Sequence, residues 1–447
     1  MLEQNNISSL AISLFISGIL ICGYLVCMSY FDFRLFSFAN LAQFLVSVLM
    51  MILALTKIQS SGLRIYSIFL LVHALFLGFN AYNLSTLQYI REFRHLYFII
   101  PGIIILAACF YLGEIKFCAN RIILPKRPMI SSGVLVNMIL CVYMAGYLVL
   151  FTLKGSPFLS VIFSKSQYGI YHAYSATGLG YYRIPILSGL LMMMNWFLLM
   201  LIPTVKRPQK IMIIAATLLF SGVLMLSRGN IIRIMLFFIL FGIYQQKNKI
   251  FSTKNVAIFI LSIIIIISSF TMLGEYRHHS SNMNKFNFSS VVQSHIDNKA
   301  VSWLYAYTSM SYDVLLQYQD YPIKNLPLSI LQPILRLVGQ QEIYENIYIE
   351  CLNVRLKNSG LNAATIFSGF VHDFGILYIL EIVVFGLVIA GIVKLIILVQ
   401  AQGAYIFILM LVAISIMGNY FSTPSFLFPV LAIIILTPFI RNSNEKT

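Results

Sequence analysis

The side chains best suited to proton transfer lie at the two ends of one stretch, Met272–Gly375. Histidine and carboxylate groups are found at its start and at its end: Glu275, His278, His279, His372 and Asp373. These are the groups that most often act as general acids and bases in enzymes. We therefore take His278, His372 and Asp373 as candidate catalytic residues, and the sequence leaves open which of them would be the base.

Four arginines form a second chemical group: Arg183, Arg228, Arg233 and Arg277. Arginine presents a planar, permanently charged fork that matches phosphate oxygens. Arg183, Arg228 and Arg277 each lie where a polar segment meets an apolar run, so we expect them at one membrane depth. This predicts a site for a membrane-embedded pyrophosphate. Arg233 lies inside a run and could join this group or pair internally.

The apolar runs on either side of Arg228 are short. Residues 211–226 and 231–244 would reach roughly 24 and 21 Å as helices, against a bilayer core of about 30 Å. We therefore predict that Arg228 is recessed below the membrane surface and that Gly229 allows the backbone to turn there. A cation at that depth is costly and should face protein or a wet cavity. The alternative is an arginine that snorkels or pairs internally.

The composition indicates that the chain is a membrane protein. Of 447 residues, 60% are hydrophobic and 10% charged, and the mean hydropathy is +0.88. Long apolar runs of bilayer-spanning length recur along the chain. The net charge of +16 falls in short clusters between these runs, which argues against a nucleic-acid partner. The six cysteines show neither a disulfide pattern nor a zinc-binding spacing.

The basic clusters predict the topology. Assigning them to the cytoplasm gives an all-α polytopic protein of about twelve transmembrane helices with both termini inside. Residues 1–273 would form a bundle of about nine spans with an external loop at 154–185, and 274–375 a long external loop. Residues 376–447 would add the last spans and a cytoplasmic tail.

The long loop is expected to carry interfacial helices. Apolar and aromatic residues recur at helical spacing between Trp303 and Tyr318, as in helices that lie at a bilayer surface. Pro322, Pro327 and Pro333 should break the structure that follows, and a second helix is expected at about 343–356. These helices could form a lid over a lateral opening or a passive cap.

The whole chain resembles the Wzy-type oligosaccharide repeat-unit polymerases, which make bacterial O-antigen and capsule. The resemblance rests on the many-span layout with one long late loop and on three short motifs. Leu226-Ser227-Arg228-Gly229 opens a span, and Arg183 precedes Ile184-Pro185. Asn362-Ala363-Ala364-Thr365 is followed by His372-Asp373-Phe374-Gly375, which enters another span.

This resemblance implies a GT-C type helical bundle in the bacterial cytoplasmic membrane that needs no metal or other cofactor. It implies transfer of a glycan from undecaprenyl pyrophosphate to another lipid-linked repeat unit, with a possible chain-length regulator as partner. Arg228 and Arg183 would then bind pyrophosphate, Arg277 pyrophosphate or sugar, and His278 or Asp373 would be the base. The competing interpretations are an O-antigen ligase acting on lipid A core, a flippase for the same lipid-linked units, or a scaffold without chemistry.

Overall fold

The computed structural model describes residues 38–82, 94–115, 130–156, 184–205, 207–225, 227–245, 305, 308, 311–317, 326–337, 365–421 and 423–441. These residues are mostly helical. The helices before the long loop are α1 Phe38–Ser61, α2 Ile65–Ala81, α3 Arg94–Glu114, α4 Ser132–Lys154, α5 Pro185–Leu201, α6 Pro208–Leu224 and α7 Arg228–Gln245. Those that follow are α8 Ser311–Gln317, α9 Leu328–Leu337, α10 Ser368–Phe374, α11 Tyr378–Leu398, α12 Gln402–Ala413 and α13 Pro424–Leu436. The described residues also include two short strands, β1 Ile130–Ser131 and β2 Ile440–Arg441.

Among the described residues, four helical segments are long and apolar enough to cross a membrane: α1, α4, Ile186–Thr204 and α11. Ten of the helices coincide with predicted apolar runs, whereas the runs at about 7–30 and 256–273 lie outside the described residues. Apolar side chains point outward on these helices, as Met138 and Leu148 do on α4 and Leu380 does on α11. Polar side chains such as Gln43 and His73 are buried instead. Because a soluble protein shows the opposite arrangement, the prediction of a helical membrane protein is confirmed.

The described residues form two compact units. The first draws on 1–115, 288–393 and 411–423, and the second on 116–287, 394–410 and 424–447. In the first unit, α1 and α2 form a hairpin whose turn contains Gly62 with a φ of +77°, a conformation that glycine adopts at little cost. The Glu114 carboxylate at the end of α3 accepts the backbone N–H groups of Ile65 and Tyr66, at 3.1 and 3.4 Å. A carboxylate is favourable there because the N-terminus of a helix carries partial positive charge.

The second unit is tied together at one end by four chain segments. Strand β1 pairs with β2 in parallel, with Ile130 opposite Ile440. Ser132 Oγ donates to Thr204 O at 3.2 Å, and Lys210 Nζ donates to Gly133 O at 2.8 Å. At the other end of α4, Ser156 Oγ donates to Leu224 O at 2.8 Å. The two ends are separated by the length of α4, roughly 35 Å for its 23 residues.

One prediction for the long loop is corrected: Pro333 does not break the chain, because α9 runs through it from Leu328 to Leu337. In the segment between Trp303 and Tyr318, helix α8 forms, and its Tyr312 and Asp313 side chains are fully buried among the helices of the first unit. The residues that contact them are polar, which the spacing of apolar residues alone does not reveal. The position of this helix at the bilayer surface stays a prediction. The helix predicted at 343–356 lies outside the described residues.

Candidate functional site

Arg228 is the first residue of α7, immediately after Ser227. The chain turns before this point, where the Ser227 N–H donates to Gly222 O at 2.9 Å. The prediction that Gly229 makes the turn is therefore wrong, because Gly229 is helical. Helices α6 and α7 have 17 and 18 residues, or roughly 26 and 27 Å, somewhat more than predicted but still less than the bilayer core.

Gly229 has a packing role instead. A Cβ atom built at Gly229 would lie 3.4 Å from Nη2 of Arg233, and its next two neighbours are also atoms of that guanidinium. The guanidinium of Arg233 therefore lies against the first turn of α7. A larger residue at 229 would occupy the surface on which this group rests.

The Arg233 guanidinium is held by three helices of the second unit. Its Cζ atom is 5.1 Å from the ring centroid of Phe426 on α13 and 6.0 Å from that of Trp196 on α5. Both distances are within the range of cation–π attraction. The two rings stack on each other at 5.0 Å, and Arg233 Nη1 donates to Asn230 Oδ1 at 3.2 Å. Arg233 is half-buried, and its contacts fix the cation among apolar helices.

For the other predicted arginines and histidines, the structure describes either the backbone alone or neither backbone nor side chain. Arg183, Arg277 and His278 lie outside the described residues. Arg228 and His372 are placed by their backbone, Arg228 at the start of α7 and His372 within α10. The prediction that three arginines share one depth thus stays a prediction.

Asp373 on α10 is buried and binds the start of α9. Its Oδ2 atom accepts the backbone N–H of Ser329 at 2.6 Å. A Cβ atom at Gly369, one turn earlier on α10, would overlap the Ser329 side chain. The missing side chain at 369 therefore allows α9 to approach closely enough for this hydrogen bond.

Glu381, on the first turn of α11, is a neighbour of Asp373. It is only 4% exposed, and neither of its oxygens has hydrogen-bond geometry with any described residue. The Ile330 amide approaches it from the first turn of α9. Two adjacent carboxyl groups thus face the N-terminus of α9, where amide groups favour negative charge.

His73, in the middle of α2, lies at the centre of a buried hydrogen-bonded chain. Its Nδ1 is 2.7 Å from Tyr312 Oη, and its Nε2 is 3.0 Å from Ser415 Oγ. The Ser415 hydroxyl donates its hydrogen to Val412 O at 2.7 Å, so it must accept from His73 Nε2–H. This leaves His73 Nδ1 to accept from the Tyr312 hydroxyl, which assigns the neutral Nε2–H tautomer.

A second buried chain runs beside the first. Gln43 Nε2 donates to Leu77 O at 2.8 Å and to Asn80 Oδ1 at 3.2 Å. Asn80 Nδ2 in turn donates to Asp313 Oδ2 at 2.7 Å. Because Asp313 follows Tyr312, the two chains together fix α8 against one face of α2.

Ser415 also connects His73 to the motif that ends at Thr365. Its backbone oxygen accepts the Ile366 N–H at 2.7 Å, and the ring of Phe367 lies 5.6 Å from that of His73.

The sequence contained a signal for His73 and Glu381, because an ionisable residue inside an apolar run is a functional candidate. It contained none for Trp196 and Phe426, which are far apart in the chain and meet only after folding.

The chain was compared with protein families, curated proteins and solved structures. No family model, no curated protein and no solved structure matches it.

Proposed function

We propose that this protein is an integral membrane glycosyltransferase that polymerises undecaprenyl-pyrophosphate-linked oligosaccharide repeat units on the outer face of the bacterial cytoplasmic membrane. The observation that carries the proposal is the Arg233 guanidinium, fixed by Trp196, Phe426 and Asn230 beside the first turn of α7. A cation fixed at the start of a membrane helix suits a phosphate group, because the helix N-terminus adds its own amide groups.

The charge of the surrounding sequence supports an anionic ligand. From Lys116 to Gly274 the chain contains fifteen lysines and arginines and no aspartate or glutamate. Much of this charge belongs to the basic loops, where the positive-inside rule accounts for it. Arg183, Arg228 and Arg233 fall outside those loops. A lipid-linked pyrophosphate would bring negative charge to this part of the membrane, and fixed cations could stabilise it as it leaves without magnesium.

Contacts at the ends of the helices in the second unit support the proposed orientation in the membrane. In the second unit, Lys210 and Arg441 belong to the end where β1 and β2 pair. The positive-inside rule favours the cytoplasm for this basic end. Leu224, which leads to Arg228, belongs to the opposite end with Ser156 and would face outward. We infer a multi-pass protein with both termini in the cytoplasm and Arg228 near the outer surface.

The first unit is consistent with the same arrangement. Glu114 and Ile65 meet at one end, next to the basic residues Arg64 and Lys116. Tyr378, at the start of α11, lies near Gly102 in the first half of α3. The start of α11, where Asp373 and Glu381 lie, would therefore be nearer the outer surface.

In the proposed reaction, a hydroxyl oxygen of the acceptor sugar forms a bond to the anomeric carbon of the donor. The bond from that carbon to the pyrophosphate oxygen breaks, and undecaprenyl pyrophosphate leaves with the electron pair. Arg228 and Arg183 would bind the leaving pyrophosphate, and Arg277 the pyrophosphate or the incoming sugar, with Arg233 as a further cation. The hydroxyl proton would pass to His278, His372 or Asp373.

A surface-glycan gel tests this proposal. A strain lacking the gene is complemented with the wild type, Arg228→Ala or the control Lys57→Ala, at an exposed lysine, at matched membrane levels. We expect a single-repeat band to replace the ladder, and the wild type and Lys57→Ala, but not Arg228→Ala, to restore it. Loss of every glycan band in the deletion strain would favour a ligase or flippase. An unchanged ladder would contradict the proposal.

A further inference from the structure

Helix α9 carries its apolar side chains on the outside. Ile334 is 56% exposed and Leu331, one turn away, is 37% exposed. Leu326, just before the helix, is 48% exposed. The side that faces the protein carries Ser329, which is 5% exposed. This polarity is the reverse of that of a helix lying on a protein in water.

The N-terminus of α9 is fixed to the start of a candidate membrane span. The Ser329 N–H is bound by Asp373, and Glu381 lies beside the same turn. From Asp373 the chain passes through one 3-10 turn, Gly375–Leu377, and then enters α11. The short turn is possible because Gly375 adopts a φ of +56°. Helix α9 therefore begins at the same level as α11.

The outward face of α11 is apolar from its first turn. Leu377, Leu380 and Val384 recur at helical spacing and are each more than half exposed. Since α11 is long and apolar enough to cross a membrane, we take this face as its lipid contact. The first turn of α9 lies beside Glu381 on the first turn of α11, so the exposed apolar residues of the two helices begin at the same level.

We propose that α9 is embedded in the lipid bilayer beside the start of α11, with Leu331 and Ile334 in contact with acyl chains of membrane lipids. The position of α9 at the level where the lipid-facing surface of α11 begins favours lipid over a protein partner. The proposal goes beyond the glycosyltransferase function, since it does not depend on any activity. It also places part of the stretch at 274–375, which the sequence predicts as an external loop, within the membrane.

Spin labels on the full-length protein test the proposal. Single cysteines replace Leu331 or Ile334 in a background without native cysteines, in liposomes of phosphatidylethanolamine and phosphatidylglycerol. Collisions of the label with oxygen, which concentrates in acyl chains, are compared with collisions with a water-soluble nickel chelate. Leu380→Cys on α11 is the lipid control, and Ser61→Cys at the α1–α2 turn is the water control.

We expect residues 331 and 334 to give an oxygen-to-nickel ratio similar to that at 380 and well above that at 61. A ratio similar to that at 61 would place α9 in water and overturn the proposal. Low accessibility to both reagents would show that a protein surface covers α9, which would also overturn it.

The wild-type protein provides a measurement that needs no variant. A phospholipid with a photoactivatable group near the end of an acyl chain is crosslinked to the protein in liposomes, and mass spectrometry locates the adducts. We expect adducts on α9 as well as on α11. Adducts on α11 with none on α9 would contradict the proposal.

The role of Asp373 in holding α9 can be measured with the same label at 334. Asp373→Ala removes the acceptor for the Ser329 N–H, whereas Asp373→Asn keeps a carbonyl oxygen there. We expect the label to become more mobile in the Ala variant than in the Asn variant. Equal mobility in both variants would show that Asp373 does not hold the helix.

Discussion

The two units hold an ionisable side chain among apolar helices in different ways. In the first unit, His73, Tyr312 and Ser415 satisfy one another's hydrogen bonds, and Asn80 connects Gln43 with Asp313. In the second unit, the flat faces of aromatic rings hold the Arg233 cation. The buried carboxylates in the described part of the chain, Glu114, Asp313, Asp373 and Glu381, all belong to the first unit.

This difference indicates a division of roles. A closed hydrogen-bonded chain in a low-dielectric interior is strong, and losing one member leaves its neighbours unsatisfied. The hydrogen-bonded chain of the first unit should therefore mainly affect the stability of the folded protein. A guanidinium over aromatic rings is positioned by cation–π attraction, and its planar fork matches phosphate oxygens. The Arg233 guanidinium of the second unit should therefore mainly affect the binding of anions, and hence activity.

The largest expected effect tests the second unit. Arg233→Ala should lower polymerisation roughly 100-fold or more, the usual cost of removing a group that stabilises developing negative charge. Arg233→Lys should recover part of the activity because it restores the charge but not the planar fork. The readout is polymer formed per unit of membrane protein, with Lys57→Ala as the control. Wild-type activity in Arg233→Ala would remove this residue from the proposed site.

The next effect tests the first unit. His73→Leu should lower the free energy of unfolding by about 2–3 kcal/mol, because it removes the short hydrogen bond from the Tyr312 hydroxyl and leaves Ser415 Oγ without its donor. His73→Gln, which keeps a donor and an acceptor, should cost less. Chemical denaturation of the purified protein in detergent measures both. If Arg233→Ala destabilised the protein as much as His73→Leu, the division between the units would fail.

A smaller effect tests how closely the first unit is packed. A Cβ atom at Gly113 on α3 would lie 2.8 Å from the backbone oxygen of Ala390 on α11, and a backbone cannot move aside as a side chain can. We expect Gly113→Ala to cost about 1–3 kcal/mol in the same denaturation experiment. Gly391→Ala, on the same helix as Ala390 but in open space, is the matched control and should be neutral or slightly stabilising.

The smallest effect tests the aromatic contact itself. Phe426→Leu removes one ring face from Arg233 and should lower activity about 2- to 5-fold, since a cation–π contact contributes about 0.5–1 kcal/mol. Phe426→Tyr keeps the ring and should retain activity. Equal loss in both variants would indicate a packing defect instead of a cation–π role.

The sequence predicted the helical segments better than their contacts. Hydropathy located α2 and α11 almost to the residue, because their ends coincide with changes in polarity. It ended α1 near Leu55, six residues early, because Lys57, Gln59 and two serines continue the helix as a polar last turn. Pro333 caused the opposite error, because it predicts a helix boundary and α9 instead includes it near the middle.

The site was predicted only in its parts that are local in sequence. Arg228 and Asp373 could be selected as candidates because each belongs to a short motif at the edge of an apolar run. The partners of Arg233 come from three separate helices, and those of His73 come from α8 and the turn after α12. Such contacts depend on how helices pack, and periodicity along one helix carries no information about them. The roles of Arg183, Arg277 and His278 stay predictions.

The parallel pairing of Ile130 with Ile440 has a consequence for biosynthesis. Strand β2 and Phe426 follow α4 and Arg233 by almost 200 residues or more, so the ribosome must make residues 1–425 before either is available. Helix α4 and Arg233 must therefore wait in the membrane, incompletely packed, until residues 426–441 have been made. A chain that stops before residue 424 would contain every predicted catalytic and arginine residue and still lack the aromatic ring that positions its cation.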